Sequence, residues 1–411
     1  EIPLRLVGSE MCIRDSYTTV QAAINAAPAN LTSPYLIFIA AGTYNECVYI
    51  PKTKPFIHLI GENPDRVKIQ FALNRVEEQT NSDTWPYSIH NPNSPARLAG
   101  YTTDQNCVVL IKATDVYLEN ISIINLYGAL KSRYDGGLGK GGQAEALCSH
   151  YDRLAMNNCK LVSFQDTWWT RFQKVNGTYG ICRAYVQNSW IEGSTDYIWG
   201  SGDVLIENST FYNTGNGSFI TASRSNETDA YGYVMKDCTI DGEAGITAFS
   251  FGRQQSTSAK AVFINTALKM DIIDGHWTAG SAAPALFGEY NTVDKNNQVI
   301  STGDMTVGSG SSQFTAKVLS ADEAAGYTYE NIIAREGWNP KQYMQTPGTT
   351  MATLDGTTLS WNAIDGAAGY LIFVNGVYLA QTTETSVSVT TAADGVYTVR
   401  GVGHYGSISA E

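Results

Sequence analysis

The sequence predicts an all-β protein: a single-stranded parallel β-helix followed by a small C-terminal β-sandwich. Three observations predict it. The segments LENISI, MNNCKL, VQNSWI, IENSTF, MKDCTI and FINTAL share one form, apolar at each end with Asn or Asp in third place. Those third residues are Asn120, Asn158, Asn188, Asn208, Asp237 and Asn265, separated by 38, 30, 20, 29 and 28 residues, near the length of one solenoid coil. Second, the units alternate like strands, with no helix long enough for a βαβ crossover. Strands that recur in one direction without crossovers stack as coils. Third, residues 351–411 carry short alternating runs divided by Asp-Gly, Asn-Gly and Asp-Gly, the turn chemistry of antiparallel hairpins.

Taken in order, residues 1–16 read unlike the rest. Glu10–Ser16, EMCIRDS, resembles the translation of a transposase adapter from sequencing libraries, so 1–16 are expected to be a non-native artefact in which Cys12 carries no function. An unbroken native reading frame across this junction in the parent locus would overturn that expectation. TTVQAAINAAP places Val20, Ala23, Ile24 and Ala27 at helical spacing, and Pro28 ends the run. YLIFIAAGTYNECVYI reads as strand, turn, strand around Ala41-Gly42, and Ile57–Ile60 and Val67–Phe71 continue as strands. Asn74–Asn106, with its three X-Pro steps, reads as a long loop walling whatever cleft lies near it. The repeat then runs to Asn265. The repeated Asn is expected to ladder through its amide at a turn between coils. Cys159 and Cys238, one place later, are expected to be buried small side chains, and the sequons at Asn120 and Asn208 to reflect the repeat rather than glycosylation. Asp271–Phe287 breaks the pattern as a loop, AKVLSADEAAGYTYENII should hold a short helix, and Trp338-Asn339-Pro340 closes the large domain. The expected division is therefore 17–340 for the β-helix, 341–350 for a linker and 351–411 for the sandwich, with Asn375-Gly376 turning a hairpin and Trp361 and Tyr370 in its core.

Composition bounds the function. The 411 residues are 43% hydrophobic and 16% charged, with 38 Gly and 24 Tyr, as a β-rich globular protein requires. The net charge of −12 argues against nucleic acid as a partner. Seven Cys and five scattered His form no disulfide framework, no C-x-x-C pair and no H-E-x-x-H, so no metal and no cofactor are expected. No apolar run is long enough for a transmembrane helix. The chain lacks a signal peptide and does not begin with Met, so its start is read as incomplete or processed.

The chemistry concentrates in 143–200. Asp166 follows Asn158 by eight residues, and Asp196 follows Asn188 by eight. If those Asn are equivalent, the two carboxylates stand on adjacent coils, roughly 4.8 Å apart. Like charges that close cannot both ionise freely, so one should serve as acid and the other as base or nucleophile. Phe164, Trp168, Trp169, Tyr197 and Trp199 surround the pair. Such rings suit sugar faces, although Trp and Tyr also serve as core with a satisfied polar tip.

In chain order, QAEAL, FQDT, STDYIWG and FGR are similar to the motifs of the pectin methylesterases (pectinesterases), whose usual forms are close to QAVAL, FQDT, G-x-V-D-F-I-F-G and LGRPW. The opening TTVQAAINAAP and the closing Trp-x-Pro match as well, so the resemblance covers 17–340. It implies a right-handed parallel β-helix that hydrolyses methyl esters of galacturonan, releasing methanol. Asp196 would be the nucleophile, Asp166 the general acid and then base, Gln143 and Gln165 the oxyanion donors, and Arg253 the partner that keeps Asp196 ionised. Trp168, Trp169, Tyr197, Trp199 and Trp277 are the candidates for contact with the polymer. Methyl-esterified homogalacturonan would be the partner of a monomer located outside the cell, in the periplasm or at the cell surface. The C-terminal part resembles a short fibronectin type III module. Two departures bear on function. The family's Pro-Trp after Gly-Arg is Gln254-Gln255 here, which removes a stacking Trp that Trp277 or Trp168 would have to replace, and the family's usual first strand has no counterpart at the start. The acidic net charge is expected to disfavour fully de-esterified stretches. Two other functions are compatible with a carboxylate pair on a β-helix: a glycoside hydrolase acting on pectin, and a non-catalytic pectin-binding solenoid.

Overall fold

The computed structural model describes residues 5–7, 16–74, 107–171, 174, 177–390 and 395–410. The loop expected over Asn74–Asn106 lies, beyond Asn74, outside the described residues, as does Cys12.

Three sheets run the length of residues 5–318. The largest has thirteen strands among the described residues, the second eight and the third seven, and successive coils contribute neighbouring strands to each. Every pairing among these sheets is parallel except that of Met305–Val307 with Phe314–Val318. This is the expected single-stranded parallel β-helix, wound right-handed as connections between parallel strands almost always are. One column shows how it closes. Ile37, Leu59, Leu118, Met156, Val186, Ile206, Met235 and Phe263 are stacked in register on the inner face of the largest sheet, and all are buried. No single coil could bury its own apolar face; the stack buries them all.

The outer face of that sheet is buried too. Phe38, Ile60, Tyr117, Ala155, Tyr185, Leu205, Val234 and Val262 pack under Tyr329, Ile332, Trp338, Tyr343 and residues of the C-terminal module. This is why its strands read as continuous apolar runs rather than clean alternation. Arg183, 1% exposed on this face, clasps Asp152 through two hydrogen bonds of 3.1 and 2.7 Å and donates to the carbonyls of Ile333 and Arg335.

The repeated Asn sits where the first sheet turns into the second. Asn120, Asn158, Asn188, Asn208, Asp237 and Asn265 all have φ between +50° and +57°, the left-handed conformation that Asn and Asp tolerate best. Asn291, after Tyr290, continues the series at +53° and was not part of the repeat read from sequence. The amides ladder at three steps, Asn158 donating to Asn120 at 2.7 Å, Asn265 to Asp237 at 2.8 Å and Asn291 to Asn265 at 3.0 Å, whereas Asn188 departs from the expectation and donates to Asn157 at 3.0 Å. Cys159 and Cys238 are buried.

Several local expectations change. The helix Val20–Ala26 forms, capped by Thr19, and lays Val20, Ala23 and Ile24 on the first coil. The following stretch is not a strand–turn–strand unit. It is one complete coil of three strands, Tyr35–Ile39, Gly42–Asn45 and Val48–Ile50, one for each sheet. A strand does stand at the start: Arg5–Val7 pairs parallel with Tyr35–Ile39. The expected linker begins inside a 3-10 turn, Pro340–Met344, whose Tyr343 is buried, so it is no free tether.

The C-terminal part is a sandwich of two three-stranded antiparallel sheets, with Trp361 and Tyr370 in its core and a two-residue Asn375-Gly376 turn, both at positive φ. It is docked on the β-helix. Ser407 donates to the buried Glu119 carboxylate at 2.7 Å, and the Tyr405 carbonyl lies 2.8 Å from His58 Nδ1.

Candidate active site

The second sheet turns into the third at the corner holding Gln143, Gln165 and Thr195, which pair in parallel as one column across three coils. Asp166 and Asp196 follow the last two. Further along, Trp168 pairs with Ile198 and Trp169 with Trp199, so the aspartates occupy equivalent places on adjacent coils. Both lie in the left-handed region, at φ +59° and +51°, and the Asp166 N–H donates to the Thr195 carbonyl at 3.0 Å. The local fold thus uses residues that tolerate this turn and at the same time aims two carboxylates at one place.

Their surroundings differ. Asp196 is gripped by Arg253, whose Nε donates to Oδ1 at 2.9 Å and whose Nη2 donates to Oδ2 at 2.6 Å. A bidentate fork of this kind orients a carboxylate. Arg253 comes from two coils further on. Its strand pairs with Ser218–Ser223, which pairs in turn with Ile198–Gly200, and its guanidinium crosses the face of Phe219 at 4.7 Å to reach Asp196. Asp166, 3% exposed, receives one hydrogen bond, from Gln143 Nε2 at 3.0 Å. Burial pushes its carboxyl up to about 8, and the like charges of Glu145 and Asp196 add to the effect. At neutral pH the site therefore offers one carboxylate gripped by a guanidinium beside one carboxyl that keeps its proton. Gln165 is half-buried in the same column as Gln143.

Glu145 is a functional candidate that the sequence reading passed over. It is 4% exposed and is second only to burial in raising Asp166. The signal was present: QAEAL carries an acidic residue where the usual form QAVAL carries Val.

The candidate aromatics divide. Trp169 and Trp199 stack on each other at 4.6 Å and 10°, half-buried, and line a cleft of about 520 Å³ with Arg171, Arg224, Ser201 and Asn226 among its other walls. Trp168, Tyr197 and Trp277 cannot touch a polymer, because each is at most 1% exposed. Trp168 donates to Ser149, Tyr197 to Asn213, and Trp277 stacks on Phe287 in the core. Neither Trp277 nor Trp168 therefore replaces the missing stacking residue. Gln255, in that place, is exposed, while Gln254 is buried and accepts from the Gly280 N–H at 3.0 Å. Among the described residues no group of three or more His, Cys, Asp or Glu could hold a metal ion, and no helix is long and apolar enough to cross a membrane.

Gly252 fixes where Arg253 starts. A Cβ there would lie 2.0 Å from Thr221 Oγ1 and 2.4 Å from the Thr221 carbonyl oxygen. Gly252→Ala should therefore cost about 1–3 kcal/mol of stability by overpacking and loosen the Arg253–Asp196 fork. Thermal unfolding tests this; an unshifted melting temperature would show that the strand gives way freely.

A family model described as Pectinesterase matches residues 12–97 and 93–336. A protein named Probable pectinesterase A from Neosartorya fischeri is 27% identical over 327 residues, which cover 79% of this chain and 85% of that one. Pectinesterase 31 of Arabidopsis thaliana is 28% identical over 280 residues, 67% of this chain and 78% of its own. Among solved structures, a pectin methylesterase from Erwinia chrysanthemi superposes with a TM-score of 0.61 at 21% identity, covering 82% of this chain and 98% of that chain. One from carrot gives 0.60 at 20% identity, covering 83% and 96%.

Proposed function

The chain belongs to the pectinesterase family, and from that membership we propose that it removes methyl esters from the galacturonate units of pectin through Asp196 and Asp166. The observation that carries the mechanism is the inequality of the two carboxylates. Asp196 is held by a guanidinium fork, and Asp166 is buried with its carboxyl pushed up to about 8.

Asp196 attacks the ester carbonyl carbon, and the amides of Gln143 and Gln165 donate to the oxyanion that forms. As the C–O bond to the methoxy group breaks, Asp166 gives that oxygen its proton and methanol leaves. The acyl group is now held as an anhydride on Asp196. The Asp166 carboxylate takes a proton from water, the resulting hydroxide opens the anhydride, and both aspartates return to their starting states. The freed galacturonic acid releases its own proton to solvent. A nucleophile that stays ionised and an acid that stays protonated at one pH are what the two steps need. Donors of the oxyanion kind typically account for about 2.7–4 kcal/mol each, so Gln143→Ala and Gln165→Ala should each lower turnover on that scale. Pectin is too large to enter a cell, so the reaction belongs outside the cytoplasm.

Methylated pectin, assayed for methanol and for new reducing ends in the same sample, tests the reading. Methanol without reducing ends is expected. Reducing ends would make the protein a glycoside hydrolase, and binding with neither product would make it a pectin-binding solenoid.

The pH dependence follows from Asp166. The leaving step needs its proton, so kcat/KM should fall as pH rises through about 8. Glu145→Gln removes one of the like charges and should move that alkaline limb to lower pH. A limb that stays in place would show that Glu145 does not act on Asp166.

A further inference from the structure

Gln143 enters the site at the end of a loop, and that loop is fastened to a buried carboxylate outside the catalytic pair. Residues 126–142 leave the strand Ser122–Asn125, cross the outer face of the second sheet and return to Gln143. The two arms of the loop close on each other: Leu138 donates to the Leu126 carbonyl at 2.7 Å, Gly139 to that of Ala129 at 2.9 Å and Lys140 to that of Tyr127 at 3.1 Å. Leu126, Tyr127 and Ala129 are buried together with Ile124 and Val162 of the sheet below. On the next coil the column Ile124–Val162 continues with Glu192 rather than an apolar residue, and Glu192 is fully buried. Arg133 Nη2 donates to its Oε1 at 2.5 Å, and the Tyr134 hydroxyl donates to its Oε2 at 2.6 Å. Trp190 Nε1 donates to the same Oε2 at 3.1 Å. A carboxylate buried where the column is otherwise aliphatic is costly unless donors surround it, and the loop supplies Arg133 and Tyr134 for that purpose.

Glu192 belongs to the strand Trp190–Gly193, which runs on through Ser194 and Thr195 to Asp196. Its carbonyl accepts from Thr167 Oγ1 at 2.9 Å, one residue after Asp166. A single residue thus joins the loop that delivers Gln143 to the segments that carry both aspartates. Between Tyr134 and Gln143 the chain reads DGGLGKGG, with Gly136, Gly139 and Gly142 at positive φ. So glycine-rich a run does not hold its own shape. The place of Gln143 Nε2, 3.0 Å from Asp166 Oδ2, therefore depends on what fastens the loop. We propose that Glu192 is a positioning residue for the reaction: through Arg133 and Tyr134 it clamps loop 126–142 onto the second sheet and so holds the Gln143 amide where the oxyanion forms. The proposal rests on the esterase reading above. Releasing the clamp leaves the donor present but misplaced.

The test uses the full chain. Glu192→Gln removes the buried charge, while Arg133→Gln and Tyr134→Phe remove its loop donors one at a time and leave the sheet itself untouched. Each should lower kcat on methylated pectin by roughly ten- to a hundredfold, the cost of misplacing a reacting group by about 1 Å. KM should change little, because a donor to the oxyanion acts only in the transition state. Arg133→Lys, which restores the charge, should recover part of the loss. Two further readouts separate positioning from stability. In a Gln143→Ala background, Arg133→Gln should lower kcat no further, since the group it places is gone. The Gln143 hydrogen bond also lowers the Asp166 pKa, against Glu145 and Asp196, which raise it, and alongside Arg253. Releasing the clamp leaves those three charges in place, so the alkaline limb of kcat/KM should move to higher pH. Carbon-13 NMR of the Asp166 carboxyl reads the same shift without turnover. A fall in melting temperature with kcat and the Asp166 titration as in wild type would overturn the proposal, as would losses that multiply in the double variant. If wild type releases no methanol while the clamp variants still move the Asp166 titration, the clamp on Gln143 stands and the esterase reading alone fails.

Discussion

Asp196→Asn should lower methanol release by on the order of 10⁴-fold or more, the scale on which enzymes lose turnover with their nucleophile. The substitution is nearly isosteric, and the amide oxygen can still accept from Arg253. Melting temperature should therefore change little compared with the loss of rate. What disappears is the charged oxygen: an amide does not attack an ester, and Arg253 is left facing a neutral group instead of the carboxylate 2.6 Å from its Nη2. Trapping adds a second readout. Wild type quenched during turnover should carry a galacturonoyl group on the peptide containing Asp196, and the variant should carry none. Activity above a tenth of wild type would falsify the assignment and move the attack to another group, with Asp166 the only other carboxylate proposed to act on the ester.

Asp166→Asn should behave differently, because its role is tied to the leaving group. Methanol is a poor leaving group, so loss of the acid should cost about 10²–10⁴-fold on a methyl ester. A phenolic ester of the same sugar leaves without a proton. On that substrate the variant should form the anhydride at close to the wild-type rate and then stall, because no base remains to activate water. The expected signature is a burst of phenol equal to the enzyme present, followed by slow turnover. A burst from both proteins, or equal losses on the two esters, would remove Asp166 from proton transfer. Wild type should show neither the stall nor the contrast.

Much of this was legible in the sequence, because a solenoid writes its period in plain spacing. The eight-residue offsets from Asn158 and Asn188 were enough to place Asp166 and Asp196 side by side, since register in stacked coils follows count. Arg253 was not reachable that way. Its role depends on a side chain crossing a whole coil, and only resemblance pointed to it. Inward and outward residues were also hard to separate. Trp168 and Trp169 are neighbours in sequence, yet one lies in the core and the other lines a cleft. Their partners in register, Ile198 and Trp199, separate them, but register is known only once the strands are aligned. The first coil was misread for a related reason: three strands of three to five residues joined by tight corners look locally like one hairpin. Docking of the C-terminal module left no trace, because Phe38 and Ile60, the outer-face residues it covers, are as apolar as the inner column.

Arg253 reaching over Phe219 limits how this chain can change in length. Loops at the corners can grow or shrink without moving any strand, and so can whole coils added at either end of the stack. Between Asp166 and Arg253, however, the number of turns is fixed. One more would carry the guanidinium about 4.8 Å further from Asp196, beyond the reach of its fork, and one fewer would remove Phe219 or merge the carboxylates with the cation. Insertions and deletions accepted during divergence should therefore cluster at corners and ends, leaving this short span of the spiral constant in coil number however far its residues drift.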